Sequence, residues 1–232
     1  MDDRRQRSAS LWPLGAVDRL RAATVFIAGL GGVGSWAMEG LARAGIGTFI
    51  LLDGDVIEPS NLNRQLLADA TTMGRAKAEV AAERLRTIDP DIRATALCRR
   101  LVAGDAADLL ERFQPIDLVI DAIDDVRAKV DLIAACRHLD IPIVASMGMG
   151  NRRDPTRVRV ADLADTHTDP LAKIVRRRLR DHGIEHLPVV FSEEPAITPD
   201  GPPGMIGSVP FVPPTGGFLM AWKACDILLN QR

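Results

Sequence analysis

The chain predicts an α/β fold built on a doubly wound, mainly parallel sheet, and three observations carry that prediction. Short apolar, β-branched runs alternate with Ala-rich amphipathic stretches over the first two thirds of the sequence. The first of these runs ends in a glycine-rich turn that leads into a helical pattern. The runs are continuously hydrophobic, as strands are when helices cover both faces of a sheet.

Taken in order, Thr24–Ala28 is a β-branched run that stops at glycines, as a buried strand does. Val33–Arg43 repeats apolar residues at helical spacing. Thr48–Leu52 is strand-like again and ends at the acidic pair Asp53 and Asp55. Arg75–Ile88 is Ala-rich with its charges on one side, and Asp89-Pro90 stops it as a helix. Ile92–Leu97, Leu118–Asp121 and Ile141–Ala145 read as three more buried strands, with helices between them at about Asp105–Phe113 and Val126–His138.

The last third changes character. Thr156–Asp162 alternates Arg157 and Arg159 with Val158 and Val160, the pattern of a half-buried strand. Asp169-Pro170 starts a helix in the expected way, with Asp as cap and Pro in the first turn, and the helix runs to about Arg180. Glu193–Gly207 is dense in proline and glycine and reads as a crossing loop. Gly216–Leu229 closes the chain as a helix. The expectation is a single domain over 1–232. Residues 20–150 form a nucleotide-binding core, and 151–232 add an antiparallel sheet extension, the crossing loop and a substrate-binding portion.

Composition narrows the function. Of 232 residues, 47% are hydrophobic and 26% charged, which suits a folded globular chain and not a disordered one. There is no Tyr and aromatics are 4%, so broad stacking on unpaired bases is not the main binding mode. A net charge of -2 means that any polyanionic partner needs a local basic patch. The three cysteines, Cys98, Cys136 and Cys225, form no Cys-x-x-Cys pair, against both a disulfide framework and a four-Cys zinc site. No apolar run approaches the ~20 residues that cross a bilayer. The N-terminal stretch lacks the apolar core of a secretory signal, so the expected location is cytoplasmic.

Gly29-Leu-Gly-Gly-Val-Gly34 lies between the first strand and first helix of the core. Gly29, Gly31, Gly32 and Gly34 let the backbone approach a phosphate chain at a helix N-terminus, in a Rossmann-like arrangement. Asp53, at the end of the second strand with Asp55 beside it, stands where a ribose-binding acid belongs. These features alone fit a nicotinamide dinucleotide equally well. The segment that follows shifts the balance: Ser60-Asn-Leu-Asn-Arg-Gln65, then Lys77 on a helix, then Asp121-Ala-Ile-Asp-Asp125 at a strand end. Cleaving ATP between its α- and β-phosphates needs cations for the developing charge, and Arg64 and Lys77 suit. It also needs a carboxylate for Mg²⁺ at a strand's C-terminal end, and Asp124 suits.

This set resembles the ubiquitin-activating-enzyme-like adenylyltransferase superfamily, which includes the thiamine and molybdopterin sulfur-carrier activators, over roughly Leu20 to Ala145. The resemblance implies that ATP is bound with Asp53 on the ribose. Asn61, Arg64 and Lys77 then contact phosphates, Gln65 supports that loop and Asp124 ligates Mg²⁺. It also implies a homodimer in which an N-terminal arginine enters the partner's site. Arg7 is the candidate here, with Arg4 and Arg5 as alternatives, although the usual Arg-Phe-type segment is absent. An accessory protein of the sulfur-transfer type is a further partner left open.

Within that superfamily the missing Cys-x-x-Cys pairs separate the chain from sulfur-carrier activators. Each cysteine reads as a small hydrophobe and not as a thioester nucleophile. Ser146-Met-Gly-Met-Gly-Asn151, Asp154–Leu163 and Thr166–Arg180 closely resemble the tRNA threonylcarbamoyladenosine dehydratases. That resemblance implies a threonylcarbamoyl carboxylate on tRNA as the group adenylated, followed by ring closure with formal loss of water. Lys173, Arg176, Arg177 and Arg180 are the candidate tRNA contacts, with a solvated helix face as the alternative. Of the histidines only His167 lies inside a family-like motif. Three rivals stay open at this point: an activator of a ubiquitin-like or sulfur-carrier protein, a nicotinamide-dependent oxidoreductase, and a nucleotide-binding scaffold without turnover.

Overall fold

A computed structural model describes residues 3–202 and 204–230. A 3-10 turn and α1 (Gln6–Ala9) lead to α2 (Ala16–Ala22), β1 (Thr24–Ala28), α3 (Gly34–Ala44) and β2 (Thr48–Leu52). Next come α4 (Lys77–Ile88), β3 (Arg93–Leu97), α5 (Ala106–Arg112), β4 (Leu118–Asp121), α6 (Val126–His138) and β5 (Ile143–Ser146). The last third contributes β6 (Val158–Asp162), α7 (Pro170–Arg180), β7 (Pro188–Ser192) and α8 (Val212–Asn230).

The strands form one sheet in the order β3-β2-β1-β4-β5-β7-β6. Neighbours run parallel from β3 through β7, and β6 alone pairs antiparallel, on β7. The mainly parallel sheet with an antiparallel C-terminal extension is thus as the sequence predicts. Two apolar layers hold it. One packs Leu20, Met38, Leu41, Leu85 and Met220 from α2, α3, α4 and α8 against Val25, Ile27 and Leu51. The other packs Leu110, Ile133, Val175 and Leu179 from α5, α6 and α7 against Phe26, Val119 and Val189.

Four differences from the sequence reading have physical causes. β7 falls in a segment given no element. Pro188 precedes only four strand residues, too short a run to show a period, yet β7 lies between β5 and β6 and is buried from Val189 to Ser192. β3, expected to be buried, is an edge strand whose residues are exposed or half-buried. α8 begins at Val212, four residues before Gly216, because Pro213 and Pro214 occupy a first turn whose N–H groups have no intrahelical partner anyway. The polar N-terminus folds into α1 and α2, tied down by charge: Arg4, Arg5 and Arg21 all donate to Asp89 at the end of α4. Among the described residues no helix is long and apolar enough to cross a membrane.

Candidate active site

Strand order reverses between β1 and β4, and the crevice above the carboxyl ends of such strands is where doubly wound sheets take ligands. A cleft of about 1150 Å³ opens there. It is lined by Gly29, Gly31, Gly32, Asp53, Asp55, Asn61, Arg64, Gln65, Lys77 and Asp124, residues that come from five separate stretches of sequence. Gly34 sits just beneath, as the first residue of α3.

The turn into α3 needs glycine for two distinct reasons. Gly29 has φ +88°, and a Cβ there would lie 2.7 Å from the Ala122 carbonyl oxygen. At Gly34 a Cβ would lie 1.8 Å from the Gly29 carbonyl oxygen, so the helix start is pressed onto the turn itself. Asp53 fixes this turn to its neighbour. Its carboxylate accepts from the Leu30 N–H at 2.7 Å and from the Asp55 N–H at 2.8 Å.

Asp55 carries the cationic wall. It accepts from Lys77 Nζ at 3.2 Å and from Arg100 at 2.8 Å. Burial alone would raise the Asp55 carboxyl, but the hydrogen bonds from Arg100 and Lys77 outweigh it and hold it below the usual carboxylate range. Lys77 is only 5% exposed, so its ammonium is fixed at the cleft wall and not waving in solvent. Arg64 packs its stem over Gly32, where a Cβ would meet Arg64 Cγ at 3.3 Å, and donates to the Ser60 carbonyl and to Asn63 Oδ1. Asn61 is buried, and its Oδ1 accepts from the Glu58 N–H, so it also shapes the turn that presents Arg64. Gln65 is buried and its Oε1 has no hydrogen-bond partner among the described residues. Asp124 is exposed at the β4 end.

Several cleft residues escaped the sequence reading. Arg99 and Arg100 follow β3 after Cys98, and a charged pair just past a strand's carboxyl end was the available signal. Behind the cleft floor, Lys129 donates to Asp121 Oδ2 at 2.7 Å and to the Ser146 carbonyl at 3.0 Å, with both charged side chains 0% exposed. This pair staples the ends of β4 and β5, from which the Ala122–Asp125 and Met147–Arg152 loops depart. A second part of the cleft is walled by the Ser146–Arg152 loop, the start of α7 and the crossing loop at Ile206 and Ser208.

Other candidates lie elsewhere. Arg7 is exposed on α1 and does not line the cleft, and Arg4 and Arg5 engage Asp89. On α7, Lys173, Arg177 and Arg180 are exposed and fall at i, i+4 and i+7, one face of the helix. Arg176 turns inward instead, donating to the Thr166 hydroxyl at 2.7 Å and the Thr166 carbonyl at 2.8 Å. Its Nη1 is thus engaged within the protein, unlike the outward-facing Lys173, Arg177 and Arg180. His167 packs edge-on against Phe191, outside the cleft-lining residues. Cys136 and Cys225 are buried. Burial pushes the Cys225 thiol up to about 11 and the Cys136 thiol higher still. Cys98 is exposed, and its thiol too is raised, by partial burial and by nearby Glu79.

A ThiF family model matches residues 4–178. A Bacillus subtilis tRNA threonylcarbamoyladenosine dehydratase is 41% identical over 182 residues, covering 78% of this chain and 71% of the relative. The Haemophilus influenzae protein of the same name is 37% identical over 233 residues, covering 92% and 88%. The crystal structure of the Escherichia coli tRNA N6-threonylcarbamoyladenosine dehydratase in complex with ATP superposes with a TM-score of 0.90 at 38% identity, over 99% of this chain and 96% of that one.

Proposed function

The chain belongs to the ThiF family, and from that premise we propose that it dehydrates threonylcarbamoyladenosine in tRNA by adenylating the substrate carboxylate with ATP. The observation that carries this is the cleft: it gathers a glycine turn, a ribose-placed acid, two fixed cations and a free strand-end carboxylate in a chain alike to dehydratases along most of its length.

A carboxylate oxygen of the threonylcarbamoyl group attacks the α-phosphorus, and the bond to the bridging oxygen breaks with pyrophosphate leaving. A nucleophile within the same modified base then attacks the activated carboxyl carbon, releases its proton to solvent, and expels AMP. The nucleoside is lighter by one water, whose oxygen leaves in AMP. No enzyme thioester is required, in keeping with three thiols whose ionisation is disfavoured, chiefly by burial.

In this reading the Gly29–Gly34 turn cradles phosphates, Asp53 takes the ribose, and Asn61 and Gln65 complete the phosphate loop. Arg64 and Lys77 oppose the charge that develops on the α-phosphoryl and pyrophosphate oxygens, with Lys77 preset by Asp55. Asp124, which is exposed and carries no hydrogen bond or ion pair among the described residues, fits Mg²⁺. One carboxylate suffices because this ion takes its other ligands from phosphates and water, and among the described residues no metal cage of three or more acidic, His or Cys side chains exists. When bound, Mg²⁺ would screen phosphate charge.

In this reading the Lys173–Arg177–Arg180 face supplies phosphate contacts to tRNA, and the activity is a cytoplasmic one. α8 exposes Phe218 and Trp222 at i, i+4, 47% and 58% exposed, as a seat for a second copy whose Arg7 approaches the cleft. The test of adenylation is isotopic. Modified tRNA labelled with ¹⁸O in the threonyl carboxylate delivers one ¹⁸O to AMP, whereas label appearing only in water excludes an acyl-adenylate.

A further inference from the structure

Two buried polar atoms without hydrogen-bond partners among the described residues belong to the second part of the cleft, remote in sequence from the nucleotide loop: Arg152 Nη2 and Ser208 Oγ. Arg152 is 3% exposed, and its guanidinium is fixed on two sides. Nε donates to the Glu194 carbonyl at 3.0 Å and Nη1 to the Gly150 carbonyl at 2.9 Å. The nearest carboxylate oxygen to Nη2 is Asp169 Oδ2, at 3.8 Å, beyond hydrogen-bond reach.

Asp169 does not need that donor. Its Oδ1 caps α7 by accepting from the Leu171 and Ala172 N–H groups, and its Oδ2 accepts from the Gly148 N–H at 2.9 Å. The Arg152 fork therefore keeps N–H donors in reserve, at a buried charged group where an unmade hydrogen bond is costly. Gly148 lets the backbone pass close to the pair. A Cβ at this position would lie 3.1 Å from Asp169 Oδ1 and 3.5 Å from Arg152 Nη1. Ser208 is held in place on the crossing loop: its carbonyl accepts from Asn63, and the adjacent Gly207 exchanges hydrogen bonds with Asn151 in both directions. A preset cation and a preset hydroxyl among the cleft-lining residues suit a ligand that carries an anionic oxygen and further polar groups.

We propose that Arg152 and Ser208 form the seat of the substrate's amino-acid arm, with Arg152 Nη2 donating to its carboxylate and Ser208 Oγ bonding to a polar group of the same arm. The proposal rests on the adenylation reading above, and it assigns specificity for the modified base to the Ser146–Arg152 loop and the crossing loop. A guanidinium here also lowers the repulsion between the incoming carboxylate and the phosphates of ATP. Neither residue is assigned to the nucleotide.

The test compares wild type, Arg152→Gln and Ser208→Ala. It measures ATP affinity by calorimetry, binding of tRNA with and without the threonylcarbamoyl group, and kcat/KM on the modified tRNA. Arg152→Gln is expected to lose roughly ten- to hundred-fold in kcat/KM, the worth of one charge-assisted hydrogen bond. It also loses the preference for modified over unmodified tRNA, with ATP affinity unchanged. Ser208→Ala, which deletes only an unpartnered hydroxyl, loses several-fold in the same preference. If wild type turns over modified tRNA and both variants keep its preference, or if ATP affinity falls in step with it, the seat is wrong and the adenylation reading stands. A wild type that binds modified and unmodified tRNA alike overturns the seat alone, and one that forms no AMP with modified tRNA overturns the adenylation reading as well.

Discussion

Replacing Lys129 by Met removes one half of an ion pair in which both side chains are 0% exposed and the charged atoms are 2.7 Å apart. At that separation the gross attraction is about 6 kcal/mol with an effective dielectric constant near 20. Desolvation offsets most of it while the pair is intact. Once Lys129 is gone the Asp121 carboxylate is left buried without its cation, and the Ser146 carbonyl loses its donor. The net cost is about 3–5 kcal/mol, a large part of the ~5–15 kcal/mol that holds a domain together. The pH dependence has a definite sign. Burial already holds Asp121 above the usual carboxylate range, with Lys129 opposing it, and removing Lys129 raises it further. A carboxyl raised in the folded state costs nothing below its unfolded pKa of about 3.9 and progressively more above it. Lys129→Met is therefore least destabilised in acid and loses stability as pH rises. The assay is urea unfolding of wild type, Lys129→Met, and Lys129→Met with Asp121→Asn, between about pH 5 and 8. The double variant, which removes the orphaned charge, is expected to recover at least half of the loss. A single variant costing under about 1 kcal/mol, or a double variant no better than the single, refutes the reasoning.

Three further outcomes follow from the same geometry. Gly34→Ala drives a Cβ into the Gly29 carbonyl. It should cost roughly 1–3 kcal/mol in denaturant unfolding and at least about ten-fold in ATP affinity by calorimetry, and affinity within two-fold of wild type would contradict the tight turn. On α7, alanine at Lys173, Arg177 or Arg180 should each lower the salt slope of tRNA binding by about one, whereas Arg176→Ala should leave that slope unchanged and destabilise the Leu163–Thr166 turn. Asp89 is also a pH reporter. Burial opposes its ionisation, but the Arg5 and Arg21 guanidiniums and the Asp91 N–H hold its carboxyl well below the usual range. A depressed carboxyl stabilises above its unfolded pKa of about 3.9 and loses that contribution as pH falls. The gap in unfolding midpoint between wild type and Asp89→Asn should therefore narrow on going from about pH 5 towards pH 2, and a gap independent of pH would show that the hub is not electrostatic.

How much of this was legible in the sequence depended on whether the signal was local. β1, β2 and β4 announce themselves through apolar runs, and the glycine turn and strand-end acids follow at fixed offsets, so the nucleotide side of the cleft could be written down in advance. β3 misled because its alternation of Arg93, Thr95 and Leu97 with alanines gives no measure of burial, and only sheet order makes it an edge. β7 was hidden by brevity, and α1 and α2 by a polar composition whose stabilisation comes from the distant Asp89. The second part of the cleft was illegible for a different reason. Arg152 becomes a cleft residue only because Asp169, seventeen positions later, is satisfied by caps that leave the guanidinium incompletely paired. Arg176 shows the converse. Its place in a basic run suggested a surface contact, while its partners at Leu163 and Thr166 lie a turn and a loop upstream.

The central claim is that this cleft activates a threonylcarbamoyl carboxylate on tRNA. Incubating the purified chain with ATP, Mg²⁺ and tRNA bearing threonylcarbamoyladenosine, then weighing the released nucleosides, tests it most directly. A nucleoside lighter by one water, formed together with one AMP, is the predicted result. AMP formation without any change in nucleoside mass would contradict the assignment of substrate, and neither AMP nor a mass change would contradict the adenylation chemistry itself.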